Sequence, residues 1–324
     1  MIADASEDPV ARARGRAVVG MYKAGTALAG ALPDPVANAI AAGLSRTFKR
    51  AMGTRRRMLQ RHMRRALGPE ATPSQLRRTV DAAFDSYARY WVETFRLASY
   101  TGSELDRVFS VEGWENIARP LDDGRGVILA LPHVGQWEVA AAWMHHHGQR
   151  LTAVAERLDP PELYEWFVDL REDRLGLAIV SLDDPAGGRQ LIEALRAGEI
   201  VTLLADRDLT GTGPEVEFFG EVTQLPAGPA RLAIQTGAAL VPVAAYEDGL
   251  WRYRAVIRPE LSVPATGSKA ERTRALTQQL AYELEGLIRR APSQWHLLQP
   301  NWPSDLEAMA RWGDADPHVV PGSS

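Results

Sequence analysis

A chain of 324 residues, 45% hydrophobic and 24% charged, can bury a sizeable core as one large domain or two ordinary ones. With no cysteine it has no disulfide framework, no thiolate nucleophile and no Cys-based metal site. The net charge of -4 conceals an asymmetry: Arg46, Lys49, Arg50, Arg55, Arg56, Arg57, Arg61, Arg64 and Arg65 crowd into one segment before Leu67, which leaves the remainder acidic.

The opening MIADASEDPVARARGR is polar and charged, which argues against a signal peptide. Val18–Leu32 and Val36–Phe48 read as two short helices around a Pro33-Asp34-Pro35 turn, with faces rich in Ala and Gly. They either lie in a bilayer interface or cap the core. The apolar region 17–44 is broken by Lys23, Pro33, Asp34 and Pro35, short of the roughly 20 uninterrupted apolar residues of a spanning helix, so no transmembrane helix is expected. The basic segment reads as a helix with Arg57, Arg61 and Arg64 on one face and Met58, Leu59 and Met63 turned elsewhere. Such a block marks an anionic membrane surface or partner, or a solvated charged face. No fold motif or interleaved aromatic accompanies it, so nucleic acid is not expected as a partner.

Pro73-Ser74-Gln75 opens a longer helix carrying Val80, Phe84, Tyr87, Trp91 and Phe95 at helical spacing, a stripe that reads as core. From Phe109 the pattern changes. Apolar runs at Val127–Leu131, Leu151–Ala155, Leu177–Leu182 and Ile200–Leu204 alternate with helical stretches at Gln136–His147, Pro161–Leu175 and Arg189–Ala197. A strand at Val216–Phe219, a helix at Gly228–Thr236, a strand at Ala239–Tyr246, its hairpin partner Trp251–Ile257 and an amphipathic helix Lys269–Arg290 follow. This alternation predicts an α/β fold with a mixed, mostly parallel central sheet flanked by helices. An N-terminal helical, membrane-docking region (1–108) precedes the α/β core (109–302). The Pro/Asp/Gly-rich tail (303–324) is expected to fray.

In an open α/β sheet, active groups gather in loops past the carboxyl ends of strands. The first such loop, in GVILALPHVGQWE (Gly126–Glu138), ends a buried strand in His133 and sets Glu138 on the first turn of the next helix. An imidazole there can take a proton from a hydroxyl, and the carboxylate five positions on can fix its tautomer. The same pattern also suits a hydrogen-bonded histidine at a helix start. Further loops supply Glu156 with Arg157, Arg171–Arg174, and Asp206-Arg207-Asp208 directly after Ile200–Leu204, groups that equally suit structural ion pairs. Phe218 and Phe219 line an acyl channel or the core, and free amides at the helix start near Gly228 can receive an anion. No G-x-S-x-G nucleophile elbow exists in the chain. The His145-His146-His147 run invites a zinc reading, but adjacent helical positions diverge by about 100° and three consecutive imidazoles cannot meet one ion.

LPHVGQWE, LLADRDLTGTGPEVEFFGE and LPAGPARLAIQTGAALVPV occur in the order and at the distances of one family. The chain resembles the lysophospholipid acyltransferase superfamily in its lipid A late acyltransferase branch, and within it the actinobacterial phosphatidylinositol mannoside acyltransferases. The resemblance runs from near Arg55 to about Trp302. It implies His133 as general base and Glu138 as its acidic partner. It also implies Arg171 (or Arg174, through a one-residue irregularity before Gly176) as a substrate-contacting arginine, with Glu156, Asp206 and the adjacent Arg207 as further substrate-site groups. The implied reaction is direct transfer of a long-chain acyl group from acyl-CoA to a hydroxyl of an anionic glycolipid, with neither metal nor cofactor. The implied location is peripheral, on the inner leaflet at the cytoplasmic face of the plasma membrane. A non-catalytic peripheral lipid-binding protein is the rival reading, and an acyltransferase with a different lysolipid or glycolipid acceptor is a nearer one.

Overall fold

The computed structural model describes residues 32–97, 99–157 and 161–313, with a few isolated positions before them and without the side chains of Asp173 and Arg174. Most of the expected helix Val18–Leu32 lies outside the described residues. The expected Val36–Phe48 helix is α1 (Asp34–Ala51), which Pro35 opens from its first turn. The basic segment is α2 (Gly53–Leu67), and α3 (Pro73–Leu97) is the aromatic-striped helix. Helix α4 (Gly102–Val108) opens on a reciprocal capping box between Thr101 and Glu104.

Seven strands form the central sheet: β1 (Phe109–Glu112), β2 (Val127–Leu131), β3 (Leu151–Ala155), β4 (Leu177–Ser181), β5 (Ile200–Leu204), β8 (Ala239–Glu247) and β9 (Tyr253–Ile257). Their order is β1-β9-β8-β2-β5-β3-β4, and every pairing is parallel except β8 with β9. The short edge strand β1 and the strand β7 (Glu221–Gln224), which pairs in a separate antiparallel hairpin with β6 (Glu215–Phe218), were not foreseen; four residues each leave little periodicity to read. Between the strands run α5 (Glu115–Asp122), α6 (Trp137–His146), α7 (Pro161–Leu175), α8 (Gly187–Arg196) and α9 (Gly228–Thr236), followed by α10 (Lys269–Arg290).

Alternation along the buried strands splits the core in two. Ile128, Ala130, Val201, Leu203 and Leu240 face a cluster shared with α2, α3, α9 and α10. Val127, Leu129, Leu131, Ile200 and Val241 face the opposite cluster, with α5 and α6. Both faces of the central strands are covered, which is why β2 reads as an unbroken apolar run.

The tail expectation needs correcting. Pro303–Trp312 is a helix, α11, and its Asp305 is fully buried. Asp305 accepts from Arg61 Nε at 2.6 Å and Arg65 Nη1 at 3.0 Å and lies 3.2 Å from His62 Nε2. The basic segment thus spends part of its charge inside the molecule: Arg56 pairs with Asp81 and Arg65 with Glu221. Helix α11 is held by these partners, about 240 residues distant in sequence, which local composition cannot announce. Residues 314–324 lie outside the described residues.

Candidate active site

Strand β2 is buried along its whole length and pairs with β5 in a register that sets Leu131 opposite Leu204. The Ala205 amide continues the ladder by donating to Leu131 O at 2.8 Å. Two residues past each member of that last pair come His133 and Asp206, so equal offsets along parallel neighbours bring them together. His133 Nδ1 lies 2.6 Å from Asp206 Oδ1, and the His133 amide donates to Asp206 Oδ2 at 3.0 Å. Trp295 Nε1 donates to the same Oδ2 at 2.8 Å, and Asn301 Nδ2 donates to the Asp206 carbonyl.

Asp206 is fully buried. Burial pushes its carboxyl up, but the His133 ring, the His133 amide and the Trp295 indole outweigh that and hold it below the usual carboxylate range. An ionised Asp206 accepts only, so Nδ1 of His133 carries the hydrogen and Nε2 carries the lone pair. This is the tautomer a base acting through Nε2 requires.

The loop after His133 is fastened at each step. Gly135 takes φ +65°, and a Cβ there would come within 2.0 Å of Ala245 O; only glycine fits. Its amide donates to Gln294 O, the Gln136 amide donates to Ala245 O, and the His296 amide donates to His133 O. Trp137 then sets its ring edge-on to His133, at a centroid distance of 5.9 Å.

Glu138 is not the partner of His133. One residue on from Trp137, it is turned about 100° around α6 toward α7. There it accepts from Arg171 Nη2 at 2.6 Å and Nε at 3.2 Å, and it is only 2% exposed. The Arg171 guanidinium also stands over the Phe167 ring at 5.4 Å. Burial opposes the charge on Arg171, and Glu138 reverses that and holds the guanidinium above its ordinary range. The pair expected as His133 with Glu138 is replaced in the structure by His133 with Asp206, while Glu138 and Arg171 form a second, separate pair. The side chain of Arg174 lies outside the described residues.

Two cavities flank these pairs. The first, about 280 Å³, runs under one face of the sheet and takes lining residues from all seven strands, from Phe109 on β1 to Ile179 on β4. Trp114, Trp143 and Phe167 cover it, and Glu138 and Arg171 are the charged groups in its wall beside Glu156. Its lining is mainly apolar, which suits an alkyl chain. The second cavity, about 400 Å³, is lined by His133, Arg207, Asp208, Thr210 and Arg231 and by the first residues of α8 and α9. Val154, Glu156 and Leu204 line both cavities, so the two meet at the carboxyl ends of β3 and β5, beside His133.

Of the predicted site residues, His133 and Asp206 touch each other, and Arg207 shares the second cavity with His133. Glu138 and Arg171 lie in the first cavity, and the exposed Glu156 stands at the junction. Phe218 and Phe219 are core, packed around Trp295 and Trp302. Sequence reasoning missed Trp295 and Asn301, which hold Asp206, and Arg231 in the second cavity. It also missed Asp208 as a loop fastener: its oxygens accept from the Thr210 amide and hydroxyl and from the Gly213 amide. The Asp-x-Thr spacing was the available signal for that turn.

Residues 6–304 match the family described as bacterial lipid A biosynthesis acyltransferase. The chain is 40% identical over 302 residues to the phosphatidylinositol mannoside acyltransferase of Mycolicibacterium smegmatis, covering 90% of this chain and 94% of that protein. It is 39% identical over 303 residues to the protein of the same name from Mycobacterium tuberculosis, covering 90% of each. A lipid A biosynthesis acyltransferase of Haemophilus influenzae is 22% identical over 232 residues, or 70% of this chain and 69% of that one.

Proposed function

The chain belongs to the bacterial lipid A biosynthesis acyltransferase family, and from that premise we propose that it transfers a long-chain acyl group from acyl-CoA to a mannose hydroxyl of a phosphatidylinositol mannoside. The observation that carries this reading is the position of His133: its ring, set by Asp206, lines the second cavity, which shares Val154, Glu156 and Leu204 with the first.

In this mechanism the alkyl chain lies under the sheet, and the thioester carbonyl sits at the junction near Val154 and Leu204. The acceptor sugar enters through the second cavity, whose wall carries Arg207 and Arg231 alongside Glu156, Asp184 and Asp208, groups that can hydrogen-bond sugar hydroxyls. His133 Nε2 takes the hydroxyl proton as the oxygen attacks the carbonyl carbon. The new carbon–oxygen bond forms, the carbon–sulfur bond breaks, and the proton passes from the imidazolium to the departing thiolate. Asp206 stays ionised and steadies the imidazolium. The transfer is direct, so no side chain of the protein is acylated.

Attachment to the inner leaflet belongs to the same proposal. Val36 and Ile40 are 44% and 42% exposed on α1, and Arg46 and Arg50 are exposed further along that helix. Apolar groups with nearby cations suit an anionic bilayer surface. Among the described residues no helix is long and apolar enough to cross a membrane.

The test is transfer of radiolabelled palmitate from palmitoyl-CoA to purified phosphatidylinositol mannoside. The wild-type chain is expected to yield labelled acylated glycolipid, and His133→Ala to lose roughly 10²-fold or more of the rate, the contribution of one general base. A folded wild-type chain that binds the lipid but gives no labelled product is a lipid-binding protein instead. Near-normal turnover by His133→Ala removes this mechanism.

A further inference from the structure

Away from both cavities, three side chains that the proposed reaction does not use converge where α4 meets the end of α6. His147 Nε2 lies 2.9 Å from Asp106 Oδ1, and His146 Nε2 lies 3.7 Å from Asp106 Oδ2. One carboxylate thus faces two imidazoles, and one ligand atom from each of the three residues falls within 4.8 Å of the others.

Local structure explains why the run of three histidines divides. Helix α6 ends at His146, and His147 caps it. His145 turns the other way and occupies the space a Cβ on Gly176 would need, with Nδ1 only 2.0 Å from that position. His146 fills the corresponding space over Gly102, with its ring 1.9 Å from where a Cβ would stand. The absent side chain at Gly102 is what lets the His146 ring lie against the start of α4 and reach Asp106. The divergence expected of three consecutive imidazoles holds for His145 and fails for the other two, because a helix end supplies the third ligand from a neighbouring element.

Two features of the surroundings suit a bound cation. Trp143, one turn back on α6, donates its indole N–H to Asp106 Oδ1 at 3.1 Å, and its ring lies against His147 at a centroid distance of 4.2 Å. An outer hydrogen bond of this kind orients a ligating carboxylate. The carboxyl end of a helix, where α6 presents its last carbonyls, favours positive charge.

We propose that Asp106, His146 and His147 form a binding site for a divalent first-row transition ion, Zn²⁺ being the member tested. Imidazole and carboxylate donors suit that ion, with bonds of about 2.1 Å. Tetrahedral ligation asks for donors about 3.4 Å apart at such bond lengths, which small side-chain rotations reach from the present separations. The solvent-facing side leaves the fourth position to water. The ion would clamp α4 to α6 and hold Trp143, whose ring is part of the apolar cavity's cover. Its role is structural and takes no part in the acyl transfer.

The experiment is equilibrium dialysis of the full chain, without a histidine tag, against Zn²⁺ alone and against Mg²⁺ alone, with folding of each variant checked by circular dichroism. The expected result is about one Zn²⁺ and no comparable Mg²⁺ per chain. A loss of affinity of roughly tenfold or more is expected in the His146→Ala/His147→Ala double variant and in Asp106→Asn, with His145→Ala retaining wild-type uptake. Absence of saturable Zn²⁺ uptake by the wild-type chain overturns the proposal. So does uptake undiminished in the double variant, or an equal loss in His145→Ala, which would mark an unspecific histidine run. None of these outcomes depends on acyl transfer.

Discussion

The molecule buries two carboxylates beside the same motif loop and gives them opposite kinds of partner. Asp206 meets an imidazole at the end of the sheet, and Glu138 meets a guanidinium inside the apolar cavity. Both are almost wholly buried and both accept short, charge-assisted bonds. The cation makes the difference. An imidazole exchanges a proton near neutral pH, whereas a guanidinium keeps its charge under all ordinary conditions. The first pair can therefore do acid–base chemistry, and the second cannot; it ties α6 to α7 in the wall of the apolar cavity.

The largest effect that separates them is on turnover. Asp206→Asn keeps the size of the side chain but removes the anion that selects the Nδ1–H tautomer. The rate of acyl transfer is expected to fall by up to roughly 10⁴-fold, the loss that follows when a histidine's orienting carboxylate is neutralised. Substrate KM should change little. A steady-state series over acceptor concentration checks this, and an unchanged kcat would demote Asp206 to a structural partner.

Glu138→Gln should appear first in stability. It leaves Arg171 charged and unpaired in a site where Glu138 is 3% and Arg171 23% exposed in its side chain, a loss on the order of 3–5 kcal/mol. Replacing both members with apolar residues, Glu138→Leu with Arg171→Met, should recover most of it, because no charge is then left buried. Denaturant melts of the wild type and the two variants give the comparison. If the double variant is no more stable than Glu138→Gln, the pair does more than hold α6 against α7.

How the two pairs could be read from sequence follows from their contact range. The apolar run at Val127–Leu131 and its histidine were plain, and so was the run Ile200–Leu204, apolar but for Thr202, that leads to Asp206, because short apolar runs bounded by turn residues suit buried strands. The choice of partner was not. Glu138 is near in sequence, and proximity favoured it; Asp206 is 73 residues away and becomes adjacent only once β2 and β5 are set side by side in register. The docking of Pro303–Trp312 was hidden for the same reason, since Asp305 finds its cations on α2. Local periodicity reports which face of an element is buried, but not against what.

A third buried group sharpens the comparison through pH. The His296 amide holds the His133 carbonyl, and the His296 ring packs behind Trp137. Burial, together with the charges of His133 and Arg89, lowers its pKa to about 3. Its Nε2 lies 2.9 Å from the Ser86 hydroxyl, which donates in turn to Glu247. The folded chain thus refuses a proton that the unfolded chain accepts below about 6.5. The unfolded state binds more protons between those values, so stability falls with decreasing pH by about 1.4 kcal/mol per unit from this group. His296→Gln should flatten the acid limb of the stability–pH curve between about pH 6 and 4, as followed by denaturant melts. A limb of unchanged slope would mean that His296 already takes up its proton in the folded state.

The smallest expected effect lies at the surface, where the basic segment divides between the two uses of charge that the buried pairs illustrate. Arg56 and Arg61 are held by Asp81 and Asp305, so reversing either would disturb folding and membrane attraction together. Arg46 and Arg50 are exposed on α1, and their reversal isolates the attraction. A basic side chain near an anionic surface contributes about 1 kcal/mol, so Arg46→Glu with Arg50→Glu should weaken sedimentation with phosphatidylinositol-rich vesicles by at least about tenfold. Added salt should erase the difference, because exposed charges are screened over about 10 Å at 0.1 M. Equal sedimentation of the variant and wild type at low salt would leave the exposed Val36 and Ile40 as the contact among the described residues. Attachment would then be a matter of apolar insertion, with the internal ion pairs the main use of the basic segment.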